Sequence, residues 1–144
     1  MSTLRCVVFD TSTLVSAALR VSSVPHRALA YALSAGEICA SAATLTELEK
    51  VLLRPKFDRY QPLDVRAEFA AMMRRHVQLF AVSEAEEANV APSCRDPKDN
   101  KFLALAGACS AAALISSDAD LLAMHPWQSV PILTPAAFVA LVES

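Results

Sequence analysis

A parallel α/β sheet covered by helices on both faces is the fold class this sequence predicts, and three observations carry the prediction. Short apolar runs recur along the chain, segments of helical pattern separate them, and the first run stops abruptly at a carboxylate, Asp10. Buried parallel strands read as continuous apolar runs, and strands separated by helix-length segments form βαβ units. At 144 residues the chain matches one domain, spanning residues 1–144. No repeat, linker or low-complexity segment interrupts it.

The elements follow in order. Residues 5–9 (Arg-Cys-Val-Val-Phe) form the first strand. Residues 25–34 are helical, with Pro25 near the start and Gly36 just past the end, the asymmetry that helix termini favour. Residues 37–40 make a second strand. The next helix, residues 44–53, halts before Pro55, and its opening Thr44-Leu-Thr-Glu47 has the spacing of a capping box. Residues 64–76 place Val65, Phe69, Met72 and Met73 at helical spacing. A third strand is expected in residues 77–82. A strongly apolar helix covers residues 100–112, the fourth strand residues 113–116, a short fifth strand residues 130–133, and a final helix residues 135–142.

Composition excludes several classes. A hydrophobic fraction of 54% and a mean hydropathy of +0.36 exclude a disordered polyelectrolyte. The strongly apolar, uncharged stretch at residues 102–117 is 16 residues, short of the roughly 20 that cross a bilayer. Much of the apolar count is alanine, 27 residues, so no membrane association is expected. Residues 6–9 are the only apolar run before Asp10, too short for the roughly 7–15 residues of a secretory h-region. Cys6, Cys39, Cys94 and Cys109 are far apart and show no Cys-x-x-Cys pair, which fits reduced thiols and a cytoplasmic location. Two glycines cannot supply a Gly-x-Gly-x-x-Gly or P-loop pattern, and there is no Gly-x-Ser-x-Gly elbow.

The carboxylates carry the chemistry. Asp10 follows the first strand, Glu47 lies early in the helix after the second, Asp99 opens the long apolar helix, and Asp118 and Asp120 follow the fourth strand. In an open parallel sheet the strand C-termini and the following helix N-termini share the edge where ligands bind. A 13-residue helix runs about 20 Å and the loop and strand after it return roughly 13 Å or more, so Asp118 comes back towards Asp99. Each acid alone has a local explanation as a cap or turn residue. Their meeting at one edge with no matching cation does not, because like charges a few ångströms apart repel by several kcal/mol, roughly, near a protein surface. A divalent ion removes that repulsion, and an all-oxygen donor set selects Mg2+ or Mn2+. Such a site suits phosphodiester hydrolysis. Thr11, Ser12 and Ser116 are supporting hydroxyls, placed to orient a water or a carboxylate. Asp120 is a further candidate metal ligand, whereas Asp96 before Pro97 reads as a turn residue.

Four motifs, taken together, resemble the PIN-domain ribonucleases: Val7-Val-Phe-Asp-Thr-Ser-Thr-Leu-Val-Ser16, Thr44-Leu-Thr-Glu-Leu48 leading to Leu53-Arg-Pro-Lys-Phe57, Asp96-Pro-Lys-Asp-Asn100, and Leu114-Ile-Ser-Ser-Asp-Ala-Asp-Leu-Leu122. The match is nearest to the toxin components of bacterial toxin–antitoxin modules. The resemblance implies a three-layer sandwich with a five-stranded parallel sheet, and Mg2+- or Mn2+-dependent endonucleolytic cleavage of RNA. It places the family's four metal-site acids on Asp10, Glu47, Asp99 and Asp118, and it implies an antitoxin partner and a homodimer. Two positions depart from the family pattern: Ser12 where Asn is frequent, and Ser116-Ser117 where Thr-Gly is usual.

RNA requires positive charge. Residues 54–75 carry a balance of +3 in a chain whose net charge is -2, and Arg54 and Lys56 are the expected phosphate contacts. Arg66, Arg74 and Arg75 are expected on a solvated helix face. His26, His76 and His125 lack metal-ligand spacing. Two other readings compete with this one. A haloacid-dehalogenase-like phosphatase needs Asp-x-Asp, and Ser12 breaks that pattern. The alternative from another class is a non-cleaving PIN-fold module for RNA binding or assembly, which divalent-metal binding distinguishes from the nuclease.

Overall fold

A computed structural model describes residues 4–144. Its elements are β1 (Leu4–Phe9), α1 (Thr11–Leu19), α2 (Val24–Ala35), β2 (Gly36–Ala40), α3 (Ala42–Leu52), α4 (Leu63–His76), β3 (Gln78–Leu79), α5 (Glu84–Ala88), α6 (Asn100–Ala108), β4 (Ala113–Ile115), α7 (Ala119–Leu122), β5 (Ile132–Leu133) and α8 (Pro135–Glu143), with 3-10 turns at Pro55–Phe57 and Pro97–Asp99. The five strands form one parallel sheet in the order β3-β2-β1-β4-β5. The α/β class and the five-stranded parallel sheet are as expected.

Alternation along the strands divides the core in two. Val7 and Phe9 of β1, Ile38 of β2 and Ala113 and Ile115 of β4 face a cluster with α1, α2, α3, α4 and α8. Val8, Cys39 and Leu114 face the other way, onto Phe102, Leu103, Leu105 and Ala106 of α6 and onto Trp127. This period of two buries the sheet on both faces. β1 and β4 lie at its centre, and their C-terminal ends deliver Asp10 and the Ser116–Asp118 turn to one edge.

Several boundaries differ from expectation. α1 was legible only as a possible cap at Asp10; it runs nine residues, with Asp10 as N-cap accepting the Thr13 N–H at 3.0 Å. α3 begins at Ala42, and its capping box is reciprocal between Ser41 and Thr44, not between Thr44 and Glu47. Glu47 therefore lies past the first turn, free of capping. Gly36 needs no left-handed conformation: it is extended and begins β2. The apolar helix ends at Ala108, not Ala112, because Ser110 adopts φ 51°. Ser110 N–H then bonds to Gly107 O and Ala111 N–H to Ala106 O, a Schellman closure with serine in the usual glycine place. β3 and β5 are two-residue strands, shorter than expected, and the segments 84–88 and 119–122 form helices that the sequence reading left unassigned.

Arg66 departs furthest from the expected solvated helix face. It is fully buried, while Val65 beside it is 45% exposed. Its guanidinium donates to the carbonyls of Leu52 (2.6 Å), Gln61 (3.0 Å) and Arg54 (3.2 Å), and it pairs with Asp58. It is a rivet for the α3–α4 connection, not part of a solvated face. Arg74 and Arg75 do lie on the surface, paired with Glu49 and Glu68.

Candidate active site

Four chain segments build an open cleft of about 390 Å³, lined by Asp10, Thr11, Ser12, Glu47, Val51, Asp99, Phe102, Ser117 and Asp118. All four acids read from strand ends and helix starts reach it. Asp10 is 3% exposed and fully bonded. One carboxylate oxygen caps α1 through Thr13 N–H, and the other accepts from Ser116 Oγ at 2.5 Å and Ser12 Oγ at 3.4 Å. Burial pushes its pKa up, and the hydroxyl and amide donors partly offset that rise.

Asp99 and Asp118 behave differently. Asp99 precedes α6 and Asp118 precedes α7, yet neither side chain makes a capping bond, so the local explanation for both is removed. Burial first, then the hydrogen bond and charge of Asp118, push Asp99 up to about 7.

Glu47 is held at both oxygens: Thr11 Oγ1 donates to Oε2, and Lys101 Nζ lies 2.7 Å from Oε1. Lys101 also bonds to the Lys98 carbonyl and sits 5.3 Å from the Phe102 ring centroid. The edge thus contains a cation that the sequence reading did not place. Nothing in the spacing of Asp99 and Lys101 announces it, since the contact depends on how α3 and α6 cross. Among the described residues, no three carboxylates bring ligand oxygens within 4.8 Å of one another; the one such group of potential ligands is Cys6, Cys39 and Cys109.

The supporting hydroxyls separate. Thr11 and Ser12 line the cleft, but Ser116 is wholly buried beneath it. Ser116 donates to Asp10 and accepts the Asp118 N–H at 2.9 Å, coupling two acids from different strands. Ser117, part of the departure from the Thr-Gly pattern, is exposed and lines the cleft instead. Asp120 lies in the first turn of α7 and does not line the cleft. Asp96 accepts the Lys98 N–H as a turn residue. Arg54 and Lys56 are exposed around the Pro55–Phe57 turn, outside the cleft lining. Arg54 lies seven residues beyond Glu47, about 10 Å along a helical path, within reach of a polymer that enters the cleft. The loop before Asp99 is fixed by Asn100, whose amide accepts from Cys94 N–H and donates to Ser93 Oγ.

Comparison with solved structures places the architecture. The chain is similar to VapBC2 from Rickettsia felis, solved bound to a DNA fragment from its promoter, at 11% identity and a TM-score of 0.64, covering 90% of this chain and 98% of that one. It is similar to the Mycobacterium tuberculosis VapC20, described as a Sarcin-Ricin loop cleaving toxin, at 15% identity and a TM-score of 0.57, covering 83% and 95%. It is also similar to PAE2754 from Pyrobaculum aerophilum at 15% identity and a TM-score of 0.58, covering 99% and 93%. At these identities the likeness is one of fold. No curated protein matches the chain. The PIN domain family model matches residues 6–120, most of the sequence and every acid that lines the cleft, and the chain belongs to the PIN domain family.

Proposed function

We propose that this PIN domain is a divalent-metal-dependent endoribonuclease, acting as the toxin of a toxin–antitoxin pair in the cytoplasm. The observation that carries the reading is the Asp99–Asp118 pair: two carboxyls that cap nothing and open onto the same cleft as Asp10 and Glu47, with burial and Asp118 raising the Asp99 pKa. An all-oxygen donor set fits Mg2+ or Mn2+, which Asp10, Glu47, Asp99 and Asp118 would hold. Bound there, the ion would supply Lewis-acid stabilisation of phosphoryl charge and ease deprotonation of the attacking water.

The chain's own groups supply the rest. Ser116 holds the Asp10 carboxylate and the Asp118 backbone in one frame. Ser12 and Ser117 present hydroxyls at the cleft wall to hydrogen-bond phosphate oxygens. Lys101 supplies a cation beside Glu47, and Arg54 and Lys56 extend a positive track for the flanking phosphates. Hydrolysis joins the water oxygen to phosphorus and breaks the bond to the leaving ribose oxygen, with the water proton passing to a cleft carboxylate.

The Lys101–Glu47 ion pair is the observation that favours the second reading, a non-cleaving RNA-binding or assembly module, because it already neutralises one of the four acids. An antitoxin and a homodimer are the proposed protein partners. An exposed apolar groove between α1, α2 and α4, about 370 Å³ and lined in part by Val21, Leu33, Val65 and Phe69, supports an antitoxin segment there. The test is incubation of structured and unstructured RNA with the purified protein in Mg2+, Mn2+ or EDTA, beside Asp99→Asn. Metal-dependent cleavage that the variant lacks supports the nuclease. No cleavage and no metal binding would establish the binding module.

A further inference from the structure

We propose that Cys6, Cys39 and Cys109 form a three-thiolate site for a soft d10 cation, Cu(I), beneath the C-terminal end of α6. Their sulfurs all lie within 4.8 Å of one another, although the three residues are far apart in sequence. Each arrives by a different route. Cys39 projects from β2 onto the α6 face of the sheet, and Cys109 is the C-cap of α6. Cys6 belongs to β1 at a register shift, with φ 57°, and packs against the same face. A bulge re-aims a side chain, and a non-glycine residue held in the left-handed region is maintained only where its surroundings fix it.

The geometry fits a trigonal ion. A metal–sulfur bond of about 2.3 Å sets three sulfurs in a plane roughly 4 Å apart, so the trio closes on an ion with a contraction of under about an ångström. The donor set is sulfur alone, which selects thiophilic ions. Among the described residues no fourth Cys, His, Asp or Glu ligand joins the group, and the trio lies with the apolar cluster that holds Val8, Leu105, Ala106 and Leu114. Zn2+ in structural sites takes four ligands; Cu(I) is satisfied with three. Hydrogen bonding from Cys39, with a further contribution from Cys6, holds the Cys109 thiol below its ordinary pKa, while the same contact raises Cys39. Binding replaces each S–H bond with a sulfur–copper bond and releases each proton to solvent, with no change of oxidation state. Cys6 is only partly buried and provides the way in, whereas Cys39 and Cys109 are 3% and 8% exposed. Cys109 and Asp99 flank opposite ends of the nine-residue α6, about 14 Å apart along its axis, so this site is separate from the acidic cleft.

The experiment titrates reduced full-length protein with Cu(I) under anaerobic conditions, in competition with a chromogenic Cu(I) chelator, and follows thiolate-to-copper charge-transfer absorption. One equivalent is expected to be retained by the wild type, with a rise in Tm, and by Cys94→Ser and Asp99→Asn. Cys6→Ser and Cys109→Ala are expected to lose it. Should Cys109→Ala not fold, Cys6→Ser at the half-buried position decides alone, its fold checked by circular dichroism. Failure of the wild type to retain Cu(I), undiminished retention by Cys6→Ser, or equal loss in Cys94→Ser would overturn the site. Retention of Zn2+ as tight as that of Cu(I) would overturn the trigonal assignment.

Discussion

Replacing Asp99 by asparagine is expected to stabilise the metal-free protein while removing its activity, and the pH at which the gain develops follows from the cleft. Asp99 is raised from 3.8 to about 7 by burial and by Asp118. Its folded-state pKa lies above the unfolded value, so its stabilising contribution is fully present below about pH 3.8 and is lost as pH rises through about 7. Fully expressed, that rise corresponds to about 4 kcal/mol. Asp99 faces an open, solvated cleft, and screening reduces the expected effect to about 1–2 kcal/mol. Asparagine keeps the shape and never takes the charge. Urea unfolding in EDTA should therefore give Asp99→Asn a higher midpoint than wild type at pH 8 and nearly the same midpoint at pH 3. A variant that is equally or less stable at pH 8 would refute the account of strain between Asp99 and Asp118.

Three further changes test other parts of the structure. Arg66→Met removes the guanidinium donor from the Leu52 and Gln61 carbonyls, while the Arg54 carbonyl keeps the Phe57 N–H, and should cost about 3 kcal/mol, read as a fall in the urea midpoint; a cost below about 1 kcal/mol would mean the buried guanidinium is dispensable. Ser116→Ala removes the 2.5 Å bond to Asp10 and the acceptor of Asp118 N–H, and should destabilise by about 1–2 kcal/mol and weaken Mn2+ binding; unaltered stability would remove Ser116 from its linking role. Gly107→Ala lies within α6, where the new Cβ meets Trp127 at 3.4 Å, an ordinary contact. It should raise stability by about 0.5–1 kcal/mol through helix propensity, a gain that calorimetry would show and whose reversal would indicate a clash with the indole.

The parts of this protein that could be read from its sequence are those in which the backbone alone decides. Asp10 and Asp118 follow apolar runs, and strand ends in a parallel sheet share an edge, so their meeting needed no side-chain knowledge. Glu47 was placed in the right helix for an incomplete reason: Thr44 bonds back to Ser41 rather than forward to Glu47, because the N-cap lies three residues earlier, at Ser41. Arg66 and Lys101 could not be read. Each depends on how two helices cross, and a buried arginine with three carbonyl acceptors has the same sequence signature as one in water. α1 was obscured because Thr11, Thr13 and Val15 are β-branched and suit strands, while its N-cap at Asp10 overrides that preference. The left-handed Ser110 ends α6 where a glycine would have announced it. The cysteine trio escaped the search for Cys-x-x-Cys spacing because its members come from two strands and a helix end.

The central claim is that the cleft acids hold a divalent ion. Titration of the purified protein with Mn2+ at pH 7.5, with free ion followed by electron paramagnetic resonance, tests it directly beside Asp118→Asn. Saturable binding by the wild type that weakens at least about tenfold in the variant is the predicted result. No saturable binding, or the same affinity after Asp118 loses its charge, would contradict the metal site and the nuclease built on it.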